Sequence, residues 1–168
     1  MIQISNLVFT VPRSCIVGIN LNFNIILNIL IELTFLYMNK TKITHPDRDP
    51  KFVTGAYSDG VLFNGMLFLS GQASVDFKTS KFILGTIEEE TIRTLDNIKE
   101  IVESAGGSMN DAIKSTVHLR NIDDFDRFNE IYATYFDGIK PARTTVQSVL
   151  GENIKVEIDI VFGLSQKI

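Results

Sequence analysis

The pattern of apolar and polar positions changes near residue 38. From Cys15 to Tyr37 the chain is almost wholly apolar plus Asn, with Glu32 the one charge. Asn20, Asn24, Asn28 and Glu32 recur every fourth residue, so on a helix they form one polar stripe. After Met38 the rhythm becomes that of a folded domain. Val61–Asn64 and Met66–Ser70 are short apolar runs about Gly65 and predict a β-hairpin. Thr86-Ile87-Glu88-Glu89 has capping-box spacing. It opens a helix whose apolar positions are Ile87, Ile92, Leu95, Ile98, Ile101 and Val102, and Gly106-Gly107 ends it. Ala112–Arg120 alternates as a strand, with Ile113, Val117 and Leu119 on one face. Asp123 starts a second helix, with Phe125, Phe128, Ile131, Tyr132, Tyr135 and Phe136 as its buried stripe. Arg143–Val149 and Ile154–Leu164 read as two further strands.

The order β-β-α-β-α-β-β predicts an α+β layer fold, a mixed sheet of five or six strands with two helices on one face. In the last strand Ile154, Val156, Ile158, Ile160 and Phe162 share the face assigned to the helices. Lys155, Glu157, Asp159 and Val161 share the other. In Met66–Ser70 both faces are apolar, and two helices cover only one. A second copy of the chain is the economical cover for the remaining face, so the sequence predicts an oligomer.

Three readings fit residues 1–37. The 23 residues from Cys15 to Tyr37 would span a bilayer, although the polar stripe suits lipid poorly. The segment is alternatively an extension upstream of the working domain, because Met38-Asn39-Lys40-Thr41-Lys42 is a plausible polar start. It is otherwise a helix that packs on a core or a partner. A secretory signal fits poorly, with no basic stretch directly before the apolar run and no small-residue cleavage site after it. Residues 38–168 show no internal linker or repeat.

Composition narrows the chemistry. Sixteen basic and 20 acidic side chains give a net charge of −4, which supplies no general nucleic-acid-binding face. One cysteine, Cys15, excludes an internal disulfide and a cysteine-based zinc site. Two histidines, His45 and His118, leave little for a metal centre, and none is expected. His45 precedes Pro46 in a polar arm and is read as solvated. His118 lies opposite the core face and is read as an interface residue. No P-loop, dinucleotide glycine motif or Ser-His-Asp order is present.

Two charged residues stand out. Arg143 opens a strand after Pro141-Ala142, and Glu157 sits mid-strand opposite the helix face. If those strands pair, both side chains face one cleft. An arginine fork suits a planar carboxylate, and a glutamate suits water activation. A structural Arg–Glu pair at a subunit interface fits the same spacing. Ser70, Tyr57 and Asn129 carry weaker signals: a turn-forming serine, a packed aromatic and a capping or solvent-facing amide are the commoner explanations.

Residues 43–164 resemble the Rid family, the reactive intermediate deaminases, also labelled endoribonuclease L-PSP. The resemblance rests on Gly55-Ala56-Tyr57-Ser58, Phe68-Leu69-Ser70-Gly71-Gln72, Thr94-Leu95-Asp96-Asn97-Ile98, Lys114-Ser115-Thr116-Val117, Asp124-Phe125 with Asn129 and Tyr132, Pro141-Ala142-Arg143, and Val156-Glu157-Ile158. It begins shortly after Met38, which favours the upstream-extension reading of residues 1–37.

The resemblance implies a cytoplasmic homotrimer with clefts between subunits. It implies hydrolysis of 2-imino acids, released as enamines by pyridoxal-phosphate enzymes, to 2-keto acids and ammonia, with no cofactor of its own. Arg143 then matches the carboxylate-holding arginine and Glu157 the acid that positions water. Tyr57, Ser70, Gly71, Asn129 and Thr145 match substrate-binding positions. Three departures stand out: Thr145 where the best-known deaminases have cysteine, Ala56 for a common proline, and one residue fewer between Arg143 and Glu157. Two other functions stay open, a trimer that binds small carboxylates without turnover and an endoribonuclease. The charge disfavours the second.

Overall fold

A computed structural model describes residue 28 and residues 39–51 and 55–164. The chain divides into two compact units, residues 1–36 and 37–168. In the first, only Asn28 is described, and it is helical and exposed. The three readings of residues 1–37 therefore lie outside the described residues. No helix among the described residues is long and apolar enough to cross a membrane.

The second unit contains strands β1 (Thr41–Ile43), β2 (Gly60–Phe63) and β3 (Met66–Leu69), a two-stranded ribbon of β4 (Val75–Asp76) and β5 (Lys81–Phe82), and helix α1 (Ile87–Ser104). Strand β6 (Ala112–Leu119), helix α2 (Phe125–Ala133), and strands β7 (Ala142–Gln147) and β8 (Val156–Gly163) follow. The main sheet has six strands in the order β1-β2-β3-β8-β6-β7. Only β6 and β7 pair in parallel; every other neighbour is antiparallel. The mixed α+β sheet with two helices is the architecture the sequence predicts.

Local chemistry explains the elements. Asn64 and Gly65 both have positive φ, 51° and 72°, the conformation that closes a two-residue hairpin in keeping with strand twist. At the start of α1 the Glu89 N–H donates to Thr86 Oγ1 (3.3 Å), and the Thr86 N–H donates to Glu89 Oε2 (2.8 Å). The helix ends where Gly106 turns left-handed at φ 85°. There the Gly106 and Gly107 N–H groups donate to the carbonyls of Glu103 and Val102, satisfying the last turn.

The core lies between the helices and one sheet face. Leu95, Ile98, Ile101 and Val102 of α1 and Phe128 and Tyr132 of α2 meet Leu67, Val117, Leu119, Ile158, Ile160 and Phe162. Two apolar assignments change. Ile92 is exposed, and Thr91 and Thr94 are buried instead; Thr91 is accommodated by donating its hydroxyl to the Ile87 carbonyl at 2.6 Å. Ile113 is 51% exposed, because a register shift between Ala112 and Lys114 lifts it off the face shared by Val117 and Leu119. The opposite sheet face keeps Phe68 46% exposed and Val146 also exposed, the uncovered apolar face expected from β3.

Buried charges fix the ends of the strands. Glu90 is fully buried and accepts from the Gly85 N–H (3.0 Å), the Lys155 N–H (2.7 Å) and Lys155 Nζ (3.2 Å). This joins the start of α1 to the residue before β8. Asp59, also buried, accepts from the His45 N–H (3.0 Å) and Arg48 Nε (2.7 Å).

The solvated reading of His45 is incorrect. Its ring is 4% exposed and stacks on Phe77 with centroids 3.9 Å apart. Nδ1 accepts from the Asp47 N–H at 3.1 Å, so the ring proton sits on Nε2, 3.3 Å from Glu100 Oε2. A polar arm is buried because an aromatic partner lies far along the sequence, which no local pattern reveals.

Burial lowers the His45 pKa from 6.5 to about 4, against the raising effect of Asp47 and Asp59. Between those values the unfolded chain binds a proton that the folded chain rejects, so stability falls with falling pH. The loss begins below about 6.5 and is complete near 4, at up to about 1.4 kcal/mol per pH unit. His45→Gln is expected to flatten the pH dependence of the urea midpoint in that window. A slope equal to that of the parent would contradict this account.

Candidate functional site

Glu157 and its surroundings form one half of the predicted site. The carboxylate projects from β8 on the face away from the helices, because Val156 and Ile158 on either side are buried. It lies against the backbone of Gly71: a Cβ there would stand 2.2 Å from Glu157 Oε1. Gly71 is therefore needed for close approach. The segment is held by paired hydrogen bonds between Gln72 and Ile158, N–H to carbonyl in both directions, at 2.8 and 2.9 Å. Ser70 Oγ donates to the Ser58 carbonyl at 2.7 Å, tying the end of β3 to the segment that carries Tyr57. Tyr57 is 57% exposed. With Gly71 and Glu157 it lines a cavity of about 560 Å³ that continues past Ala73, Phe77 and Ile154. Glu157 makes no ion pair among the described residues.

Arg143 forms the other half. It pairs in register with Ser115, whose side chain is buried beneath the helices. Its Nη2 donates to Asn129 Oδ1 of α2 at 2.8 Å. The guanidinium lies over the rings of Tyr132 (4.7 Å), Phe125 (5.4 Å) and Phe128 (5.5 Å), an aromatic bed that favours a cation. Burial raises the Tyr132 pKa, and its hydroxyl bonds Ser115 Oγ at 2.9 Å. No acid pairs with Arg143 among the described residues, which leaves most of its donor fork open. Thr145 follows on the same face, and its Oγ1 is buried without a hydrogen-bond partner among the described residues.

The structure does not bring the two halves together within one chain. The strands that carry Arg143 and Glu157 do not pair: β6 lies between β7 and β8. Arg143 aligns through Ser115 with Ile160, and Glu157 aligns through His118 with Val146. The two side chains thus leave opposite faces of the sheet, on strands two spacings, about 10 Å, apart. Tyr57, Ser70 and Gly71 accompany Glu157; Asn129 and Thr145 accompany Arg143. His118 lies on the Glu157 face, 2.8 Å from Ser148 Oγ and 3.9 Å from Asp159. The aromatic bed beneath Arg143 was visible in sequence only as a buried helix stripe; Asn129, breaking that stripe, was the signal that it had a polar client.

Residues 49–162 match the model of the family described as Endoribonuclease L-PSP. A RutC family protein of Saccharolobus solfataricus is 42% identical over 121 residues, 71% of this chain and 95% of that protein. The 2-iminobutanoate/2-iminopropanoate deaminase of Rattus norvegicus is 38% identical over 108 residues, 64% of this chain and 79% of that one. Among solved structures, E. coli TdcF with bound serine superposes with a TM-score of 0.66 at 34% identity, covering 74% of this chain and all of that one.

Gly71→Ala is expected to fold and to drive the Glu157 carboxylate into another rotamer, because the 2.2 Å contact falls on the end of a flexible side chain. A crystal structure of the variant checks this. A carboxylate left in its parent position would contradict the close-approach argument.

Proposed function

Because the chain belongs to the endoribonuclease L-PSP, or Rid, family, we propose that it is an imine deaminase, converting 2-imino acids such as 2-iminobutanoate and 2-iminopropanoate to 2-keto acids and ammonia. The working form in this reading is a cytoplasmic homotrimer, each site joining Arg143, Asn129 and Thr145 of one copy to Tyr57, Ser70, Gly71 and Glu157 of the next. One observation carries the reading. A cation without an acid and an acid without a cation lie on opposite faces of one sheet, so a second copy is what unites them. The exposed Phe68 and Val146 supply apolar surface for that contact.

The chemistry follows from the two groups. Arg143, held by Asn129 and the aromatic bed, offers its remaining donors to the substrate carboxylate as two parallel charge-assisted bonds. The imine carbon is already electrophilic, so attack needs only an aimed water. Glu157 takes a proton from that water as its oxygen bonds to the imine carbon. Glu157 hands that proton to the imine nitrogen, which completes the amino alcohol; it then takes the amino alcohol's hydroxyl proton as the C=O bond forms and the C–N bond breaks, and delivers it to the leaving nitrogen, so that keto acid and ammonia depart. Gly71 leaves the space that the carboxylate occupies.

The alternative, a trimer that binds small carboxylates without turnover, uses the same Arg143 clamp but makes no demand on Glu157. The rodent relatives named as deaminases support turnover. A nuclease reading draws little support from a net charge of −4, with one histidine buried on Phe77 and the other bonded to Ser148.

Arg143→Ala is expected to weaken substrate binding roughly ten- to a hundredfold, the worth of a charge-assisted contact. Arg143→Lys should not restore it, because a point charge lacks the planar fork. Glu157→Gln is expected to lower kcat by about 10²–10⁴ while ligand binding survives. Keto-acid release from 2-aminoacrylate, generated by a serine dehydratase, is the assay. Full activity in all three variants would leave a structural role only.

A further inference from the structure

The chemistry above uses Glu157 but not the side chains beside it on the same sheet face. β6 and β8 run antiparallel, with His118 aligned on Glu157 and Thr116 on Asp159. Ser115, Val117 and Leu119 are buried, so Thr116 and His118 point the other way, to the side of Glu157 and Asp159. Side chains aligned in this manner have Cβ atoms about 4.5–5.5 Å apart. His118 is therefore the direct cross-strand neighbour of the proposed base.

The two histidines of the chain are held in opposite ways. His45 Nδ1 accepts from a backbone N–H, a donor that cannot reverse, and the ring is stacked on Phe77. One neutral tautomer is fixed there. His118 Nδ1 stands 2.8 Å from Ser148 Oγ, and a hydroxyl donates or accepts as its partner requires. Nε2 faces Asp159 Oδ2 at 3.9 Å, which places the proton of the neutral ring on Nε2. The neutral ring accepts from Ser148, and the imidazolium donates to it. Both protonation states are thus satisfied. The side chains of His118 and Asp159 are 32% and 37% exposed, open to proton exchange.

Few charges face the ring. β8 supplies Glu157 and Asp159, and Lys155 before it is held by Glu90. On β6, Lys114 lies four residues back and donates its Nζ to Thr144 Oγ1. Arg120, just past that strand, is engaged by the carbonyls of Leu150 and Ile154. β7 and its continuation present Thr144, Val146 and Ser148, none of them charged.

We propose that His118 is a positioning residue for Glu157: its protonation sets a positive charge across the strand pair from the carboxylate and slows the water attack that the carboxylate assists. The proposal rests on the deaminase reading above. An adjacent cation favours the ionised carboxylate, and a carboxylate so favoured is a weaker proton acceptor. The imidazolium also competes for the carboxylate against its place beside Gly71. The neutral ring, with its N–H turned to Asp159, does neither. Turnover is high while His118 is neutral and falls as it takes up a proton. Asp159, the nearest carboxylate, favours the imidazolium and so sets where in pH the change falls.

The test is the pH profile of kcat for keto-acid release from 2-aminoacrylate. The full chain is assayed at saturating substrate from about pH 5 to 8, the span in which imidazoles change charge, with uncatalysed hydrolysis subtracted at each pH. kcat is expected to fall roughly three- to tenfold toward the acid end. His118→Gln, which keeps a polar side chain that cannot take a charge, should lose that step. Asp159→Asn retains His118 and should move the step to lower pH by roughly a few tenths of a unit. A step retained in His118→Gln would overturn the proposal, because His45 is still present and acid loss of folded protein would then account for it. A flat profile in the parent, or an unmoved step in Asp159→Asn, would overturn it as well. In each of these outcomes hydrolysis is observed and the deaminase reading stands. Hydrolysis by the parent at no pH would remove that reading, and the proposal with it.

Discussion

The pleat of the sheet governs everything the site can do. Successive residues of a strand face opposite sides, and β6 separates β7 from β8. Arg143 is consequently committed to the helix side and Glu157 to the other. No rotamer change brings them into one cleft within a chain. Each therefore acquires its own support. Arg143 rests on Asn129 and three aromatic rings, all of α2. Glu157 rests on Gly71, where any side chain would displace it.

The supports reach back into the core. Glu90 pins the chain two residues before Glu157 by accepting the Lys155 N–H, and the capping box of α1 holds Glu90 in turn at the helix start. Asp59 receives Arg48 and the His45 backbone, and its own carbonyl receives the Ser70 N–H at 2.9 Å. The Tyr57–Asp59 segment and the end of β3 are thus one hydrogen-bonded unit. Such over-determined positions are what a preorganised site needs.

The sequence made the local features legible. The Asn64-Gly65 turn, the Thr86 capping box and the Gly106-Gly107 stop depend on neighbours in the chain, and each appears where its residues require. Strand faces in β3 and β8 followed from alternation. What local pattern could not supply was strand order. Nothing near Arg143 or Glu157 tells that β6 inserts between their strands, so the local pattern leaves open whether those strands pair. The burial of His45 depended on Phe77, and the exposure of Ile113 on a register shift against β8. Arg143 and Glu157 stand out by strand position alone, and Tyr57, Ser70 and Asn129 more weakly, whereas Gly71 and Thr145 enter as site positions through family resemblance; the division of these residues into two sets comes from the sheet.

The central claim is that a working site needs Arg143 from one copy and Glu157 from another. Mixed oligomers test it directly. Arg143→Ala and Glu157→Gln chains, each defective alone, are co-expressed in equal amounts and assayed for keto-acid release. In a closed ring with one kind of interface, half the sites receive an intact arginine and half of those an intact glutamate. The account predicts recovery of about a quarter of the parent activity. Activity no greater than the average of the two separate variants would show that the two residues do not act across chains, and would contradict it.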